Sequence, residues 1–509
     1  VHAIDLAIVG ASLGGLLALG GWLAARQRAT SDYYLGGRKL PAWALGLSLA
    51  ANQASAISLI GAPAFVALRE GGGLGWLQYE LAVPLAMAVL VVWGVPRLRS
   101  APGADVYAGV EARLGPPARR VLALLFLLGR GSGTGVILYA SSLLVASVTG
   151  WGLGSSLVLM GVVALVYTAL GGLVADVVTD VAQLLLLWGG TAVVAVLVAG
   201  HLAGHGPMLE GIDPARLAAL DFGHHGLGDG ASFAFWPMLL GGFFLYLSYY
   251  GCDQTQAQRL LAAGSDREVR VALTTAALVR VPLVATYCLL GVLLARLLVV
   301  DPAFAARLGG KPADALVPEL IAYWLPVGVR GVAVAAILAA ALSSIDSALN
   351  SLSAVTIEEL GWSRGRWAIW RARAVTVAWG GLTVVAGLGF SRAGETTIEL
   401  VNRVGSALYG PILAVFALAW WARRASGASA VAGALSGLAA NLALAWLAPG
   451  VSWLWWNLWG FGIALAVGIT FGRRTSPARS FEIEGRGQAW LLLVMFGIIL
   501  AALALFGFR

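Results

Sequence analysis

Lysine is almost missing from this chain: Lys39 and Lys311 are the two copies in 509 residues. Charged residues of all kinds make up 11%, against about 25% in soluble domains, which excludes an ordinary water-soluble globule. Cysteine is as scarce. Cys252 and Cys288 both lie in apolar runs, so neither a disulfide framework nor a thiolate metal site is expected. Of the five histidines, His201, His205, His224 and His225 fall in or beside one long loop. They lack the spacing that builds a metal site and read as solvated. No His-Glu-x-x-His string and no supported Ser/Lys pair occurs, so an enzyme is not expected.

What is present is hydrophobic length. The composition is 59% hydrophobic, and apolar runs long enough to cross a hydrocarbon core of about 30 Å recur from end to end. Fourteen spans are expected, near 4–25, 41–68, 74–97, 119–148, 151–170, 175–201, 231–260, 267–299, 328–358, 366–390, 394–422, 427–447, 450–471 and 487–508. The first has no basic region before it and no convincing cleavage site, and reads as a retained helix. Trp453, Trp455, Trp456 and Trp459 cluster as interfacial anchors. The longest loops, 201–230 and 300–327, leave no soluble domain, so the chain reads as one transmembrane unit.

The net charge of +8 does not imply a nucleic-acid partner, because the arginines gather in alternate loops. Arg26, Arg28, Arg38 and Lys39 follow the first span, and Arg97, Arg99, Arg113, Arg119 and Arg120 follow the third. Arg259, Arg267 and Arg270, then Arg364, Arg366, Arg371 and Arg373, fall on the same side. Arg423 and Arg424, then Arg473, Arg474, Arg479 and Arg486, complete it. The loop after the fifth span carries no arginine; elsewhere the alternation holds. By the positive-inside rule the Arg-rich loops are cytoplasmic and both termini face outward; a multi-pass protein of the cell (inner) membrane is expected.

Within this apolar frame a polar stripe marks a site. Ser343, Asp346, Ser347, Asn350 and Ser351 share one side of a helix, with Ser344 at its edge. An ionisable residue inside a span is costly, and hydroxyls plus a carboxylate suit a hard cation that takes oxygen ligands. Two other spans read as interrupted. One carries Asn52, Gln53, Ser55 and Ser58, then Gly61 and Pro63; the other turns polar towards Gln256, with Gly251 as the expected break. Five spans separate their starts, so a unit repeated at this interval is inverted in the membrane, which points to a midplane binding site.

Several strings resemble one family, the sodium:solute symporters. They are Asp32-Tyr-Tyr-Leu-Gly-Gly-Arg-Lys-Leu-Pro41, the stretch Tyr167 to Gln183, Asp253-Gln-Thr-Gln-Ala-Gln-Arg-Leu260, Leu342 to Ser351, and Gly410-Pro-Ile-Leu-Ala-Val-Phe416. The resemblance implies an all-α membrane protein with the LeuT-type five-plus-five inverted repeat. Residues 4–25 form a leading helix, 41–201 the first repeat, 231–422 the second, and 427–508 the trailing helices. It implies Na+ as coupling ion, one or two per cycle, and a small solute imported by alternating access. The common sodium site then comprises the carbonyls of Ala51, Ala54 and Ala340 with the hydroxyls of Ser343 and Ser344. A second cation site draws on Asp180, Ser343, Asp346 and Ser347. Asp346 departs from the hydroxyl expected there, which leaves a second sodium and a proton both open. Asp176, one turn before Asp180, reads as a helix cap or as a group facing water.

For the solute, the same resemblance places Ser55, Ser58, Gln78, Tyr79, Glu80, Asp253, Gln254 and Asn402 around the cavity. Ser58 stands where a galactose transporter has Gln, and Asp253 where it has Asn, which weakens a sugar match. Arg130, inside the third core helix, could hold a substrate carboxylate or pair with a protein acid such as Glu80. Sialic acid members use an arginine on this helix, and the stretch Ser343–Leu360 resembles the monocarboxylate and vitamin branch. An organic anion is therefore the leading expectation, with a sugar or polyol the alternative; a proton-coupled carrier or a channel ranks below both.

Overall fold

The computed structural model describes residues 2–24, 38–53, 55–99, 105–170, 173–362, 367–390, 396–473 and 484–507. Helix dominates, and among these residues β-structure is confined to isolated bridge residues, with Leu227 paired to Val451. In chain order the membrane-length elements begin with α1 (Ala3–Ala24), α2 (Ala42–Gln53), α3 (Ala56–Ala67), α4 (Leu74–Arg99) and α5 (Pro116–Thr149). Then come α6 (Leu153–Leu170), α7 (Leu173–Leu202), α8 (Gly242–Cys252), α9 (Gln254–Leu261) and α10 (Asp266–Val300). The chain continues with α11 (Val329–Glu359), α12 (Ala368–Phe390), α13 (Thr397–Trp421), α14 (Gly427–Leu447), α15 (Trp455–Thr470) and α16 (Arg486–Ala504). The expected spans overlap these helices and broken pairs. Among the described residues nine helices are long and apolar enough to cross a bilayer, or ten counting the bent pair α2–α3.

The core sits around α11, where 94% of the most apolar window is buried inside the protein, against 17% for α16 at the periphery. Its Ala- and Ser-rich surface has no large side chain to hold neighbours away, and α5, α7, α1 and α12 all pack on it. Gly328, at φ +88°, lets the chain turn into α11. The Asp5 carboxylate of α1 accepts the Gly328 and Gly331 amides at 2.8 and 3.0 Å, which fixes that buried helix start.

Both interrupted spans are broken where a side chain can take over the freed backbone. Between α2 and α3 the axis bends by 52°, and the Ser55 hydroxyl accepts the Ile57 amide at 3.4 Å. Between α8 and α9 the break falls at Asp253, not at Gly251. Asp253 is extended (φ −75°, ψ 126°), and its carboxylate accepts the Thr255 amide at 2.8 Å. Gly251 is helical instead. A Cβ there would come within 2.8 Å of the Leu90 side chain, so the glycine serves close packing against α4. An Asp followed by a new helical turn was the better signal for the break.

Candidate cation and solute sites

Three elements converge on a buried polar layer: α2 supplies Ser48, α7 supplies Asp176 and Asp180, and α11 supplies Ser343 and Ser347. Asp180 accepts hydrogen bonds from the hydroxyls of Ser343 and Ser48. Into this layer α9 inserts Arg259, 1% exposed. Its Nη2 lies 2.8 Å from Asp176 Oδ2, 2.9 Å from Asp180 Oδ2 and 2.6 Å from Ser347 Oγ. Nε donates to Ser48 Oγ at 2.7 Å and Nη1 to the Thr255 carbonyl at 2.9 Å. Ser347 closes the ring by donating to Asp176 Oδ1 at 2.7 Å.

The structure therefore brings Asp180, Ser343 and Ser347 together, but around a resident guanidinium that the sequence reading did not place there. Asp176 is buried and ion-paired, so it is neither a cap nor a water-facing group. Asp346 is hydrogen-bonded to Thr168 and feels Asp176, Asp180 and Arg259 only electrostatically. Two buried carboxylates thus share one guanidinium, and a third, Asp346, lies close enough to feel it. That leaves a deficit of positive charge, which a cation or a proton relieves.

Beside this layer lies the expected sodium site. Ala51, Ala340, Ser343 and Ser344 are all buried, and α11 contacts both α2 and α3. The Ser344 hydroxyl oxygen is buried without a hydrogen-bond partner. An orphaned hydroxyl in a membrane core costs free energy that an oxygen-seeking cation would recover, so the residues present fit Na+. Ala54 lies outside the described residues, as do positions 32–37 of the first family string.

The solute cavity opens between the two broken helices, α4, α5, α10 and α13, with about 100 Å³ of free space. Ser55, Ser58, Tyr79, Glu80, Arg130 and Asn402 line it, as expected. The Glu80 carboxylate belongs to Arg280: Nη2 donates to Oε1 at 2.9 Å, and Nε lies 2.8 Å from Oε2. Arg280 also donates to the Tyr246 hydroxyl at 2.8 Å. Glu80 is thus spoken for, and Arg130 has a different environment. It donates to Asn52 Oδ1 at 2.8 Å and is hydrogen-bonded to Tyr249. Its Nε is buried without a partner, and among the described residues it makes no ion pair. Asp253 acts on it electrostatically from beyond ion-pair reach.

Three expected solute residues are placed elsewhere. Gln78 is fully buried as a strut, donating to the Gly75 and Phe233 carbonyls and accepting the Asp221 amide. Gln254 accepts the Val106 amide at 3.0 Å and anchors the loop after α4. Asp253 caps α9 and touches only a smaller pocket beneath Arg130. Asp253 and Gln254 flank a helix break and Gln78 lies in a 3₁₀ stretch, and sequence does not say whether such a polar residue faces the cavity or the backbone. Conversely Asn52, Gln53, Tyr249, Arg280, Tyr287 and Tyr409 line the cavity and were not assigned to it. Of these, Asn52 and Gln53 had a signal, since they are polar in an apolar run.

Ion pairs close the bundle above and below. On the side of the 201–230 loop, Arg69 after α3 binds both carboxylate oxygens of Glu399 on α13 at 3.0 Å. There Phe65, Trp76 and Phe233 pack edge to face, with Phe65 4.8 Å from each of the other two rings. At the opposite end Arg119 holds Asp105, Glu111 and Glu359 at 2.6, 2.9 and 2.6 Å, joining α5, α11 and the segment between α4 and α5.

Comparison with known proteins places this geometry. The sodium:solute symporter family profile matches residues 33–437. The chain belongs to that family. The human sodium/iodide cotransporter is 28% identical over 442 residues, covering 84% of this chain and 66% of that protein. Human sodium-coupled monocarboxylate transporter 1 is 28% identical over 431 residues, with 82% and 68% covered. The rabbit (Oryctolagus cuniculus) sodium-dependent multivitamin transporter is also 28% identical, with 83% and 67% covered. The chain thus spans about two-thirds of these relatives. A solved Na+-coupled sialic acid symporter in a substrate-bound outward-open state superposes with a TM-score of 0.80 at 22% identity, covering 94% of this chain and 100% of that one. The fold is the LeuT-type inverted repeat of this multi-pass membrane family.

Proposed function

We propose that this chain is a sodium-coupled symporter that imports a small organic anion by alternating access, with Arg130 holding its carboxylate. The observation that carries the reading is a half-buried guanidinium, Arg130, that lines the cavity and has no acid paired to it among the described residues, while the cavity's other arginine, Arg280, is neutralised by Glu80. A substrate carboxylate would complete Arg130 with paired, charge-assisted hydrogen bonds. The free space of about 100 Å³ favours a compact monocarboxylate over a bulky sugar acid. The names of the monocarboxylate and multivitamin relatives point the same way.

Sodium would be held by the backbone oxygens of Ala51, Ala54 and Ala340 with the hydroxyls of Ser343 and Ser344. It would supply the charge that fastens the first broken helix to α11 and keeps the cavity ready for solute. Arg69–Glu399 and the Arg119 cluster sit at the two ends that must open in turn. Each sodium moving down a tenfold gradient at 100 mV releases roughly 1.4 plus 2.3 kcal/mol. The arginine alternation supports an orientation with both termini outward.

The test is uptake of labelled lactate, nicotinate, sialic acid, iodide and glucose into proteoliposomes under an imposed sodium gradient. Sodium-dependent uptake of a carboxylate, lost in Arg130→Ala and reduced at least tenfold in Arg130→Lys, is expected. Glucose uptake that survives Arg130→Ala would make the chain a sugar carrier. Uptake indifferent to sodium would remove the coupling.

A further inference from the structure

An apolar groove outside the transport pathway is the feature the symporter reading does not use. It is lined by residues of α4, α8, α13 and α15, among them Leu90, Gly94, Phe244, Trp421, Phe461 and Leu465, with about 330 Å³ of free space. A π-turn at Leu90–Gly94 locally loosens the α4 wall, and its residue without a side chain, Gly94, lies on the groove. Almost nothing polar lines it, so water gains no partners there. Trp421 and Ile469, 47% and 41% exposed, stand on its open side within membrane-spanning helices. A hydrocarbon chain is the solvent available to it.

What distinguishes the groove is its rim. α4, α13 and α15 all end beside it, and each end carries arginine: Arg97 in the last turn of α4, Arg423 and Arg424 after α13, and Arg473 after α15. The Arg97 guanidinium lies 4.8 Å over the Trp421 ring, binding the rim to the groove wall. The Ala425 amide donates to the Arg473 carbonyl at 3.1 Å, which holds the ends of α13 and α15 together. Arg423, Arg424 and Arg473 are exposed and form no ion pair among the described residues. Nearby acids are already committed, Asp266 to Arg99 and Glu484 to Arg270.

We propose that this groove is a binding site for an anionic phospholipid, one acyl chain lying along Leu90, Phe244, Trp421 and Leu465 and the phosphate meeting Arg423, Arg424 and Arg473. Charge complementarity selects the occupant: a zwitterionic lipid satisfies the apolar walls equally but leaves three clustered arginines with no counter-charge among the described residues. Juxtamembrane basic residues each favour anionic headgroups by several-fold.

The probe is native mass spectrometry of detergent-purified protein titrated with phosphatidylglycerol and phosphatidylcholine of identical chains. Phosphatidylglycerol retained at least tenfold better, with that preference abolished in the Arg423→Gln/Arg424→Gln/Arg473→Gln variant, is the expected result. These side chains are exposed, so the variant should fold. The groove itself is read separately by quenching of tryptophan fluorescence with chain-brominated phosphatidylglycerol. Trp421→Phe should lose part of the quenching, and Leu465→Trp should reduce lipid retention. Equal retention of the two lipids overturns the headgroup assignment. Preferential retention that ignores Leu465→Trp, with quenching that ignores Trp421→Phe, overturns the groove.

Discussion

Arg259 reaches across from the second broken helix to place its Nη2 2.9 Å from Asp180 Oδ2, in a layer with no water-exposed side. The guanidinium stands where the carboxylates of Asp176 and Asp180 converge, and it ties α9 to α7, α2 and α11 in one network. Removing one partner from such a buried pair leaves an uncompensated charge, which costs about 3–5 kcal/mol. Arg259→Gln should therefore lower the melting temperature of the purified protein steeply, by far more than exposed Arg423→Gln. Arg259→Lys should recover little, because a point charge cannot serve the four side chains that the planar fork reaches. A melting temperature unchanged by Arg259→Gln would mean the network contributes no stability.

Ser344 offers a prediction in which stability and ion binding part company. Its hydroxyl has no partner among the described residues, so Ser344→Ala removes an unsatisfied group and should leave the sodium-free protein as stable as before or slightly more so. Stabilisation by sodium should instead shrink, with the apparent sodium affinity falling at least tenfold. Solute affinity measured at fixed sodium must fall with it, because coupling between two ligands is reciprocal. Thermal melts across a sodium titration, with and without solute, read all three. Unaltered sodium stabilisation would take Ser344 out of the site.

How far these sites could be read from sequence depends on where each residue's partner lies in the chain. The helical segments were legible because hydrophobic length is a local property, and the α11 stripe because fewer than three turns of one helix carry it. Arg259 was visible only as part of a family string and as one of the basic loop residues. Its burial against Asp176 and Asp180, some eighty positions earlier, is a fact of packing. Glu80 and Arg280 are two hundred positions apart, and nothing in either neighbourhood announces the pair. Gln78, two residues before Glu80, looked equally eligible for the cavity, yet a 3₁₀ stretch over Leu74–Leu81 turns it onto loop backbone. Helical periodicity fails where the helix is not α.

The Glu80–Arg280 pair sets the charge of the cavity, and its disruption should act on selectivity as well as stability. In Glu80→Gln the Arg280 guanidinium loses its carboxylate and keeps only the Tyr246 hydroxyl at 2.8 Å. The cavity then presents two uncompensated arginines. Stability should drop by about 3 kcal/mol or more, and added anionic solute should restore more of it than in the parent protein. Comparing melting shifts with a monocarboxylate and a dicarboxylate tests this: the dicarboxylate should gain relative affinity in the variant. Equal losses for both acids would show that the pair is purely structural.

Asp105 connects the end of the bundle opposite the 201–230 loop to pH. It precedes the short helix Tyr107–Leu114 and lies 2.6 Å from Arg119 Nη2. Burial pushes its carboxyl up to about 6, against the pull of Arg119 and the Tyr107 amide and with help from Glu358 and Glu359. A carboxyl raised above its unfolded value binds its proton more tightly in the folded state. The stability this contributes is complete below the unfolded value near 4 and is lost as pH rises through about 6. Two units correspond to at most about 3 kcal/mol. Between pH 7 and pH 5 the parent protein should therefore gain stability relative to Asp105→Asn, which has no proton to take up there. The comparison cancels the other carboxylates, whose titration the two proteins share. Parallel melting curves across that range would show that Arg119 keeps Asp105 ionised throughout, and the triple ion pair would then act as a pH-independent latch.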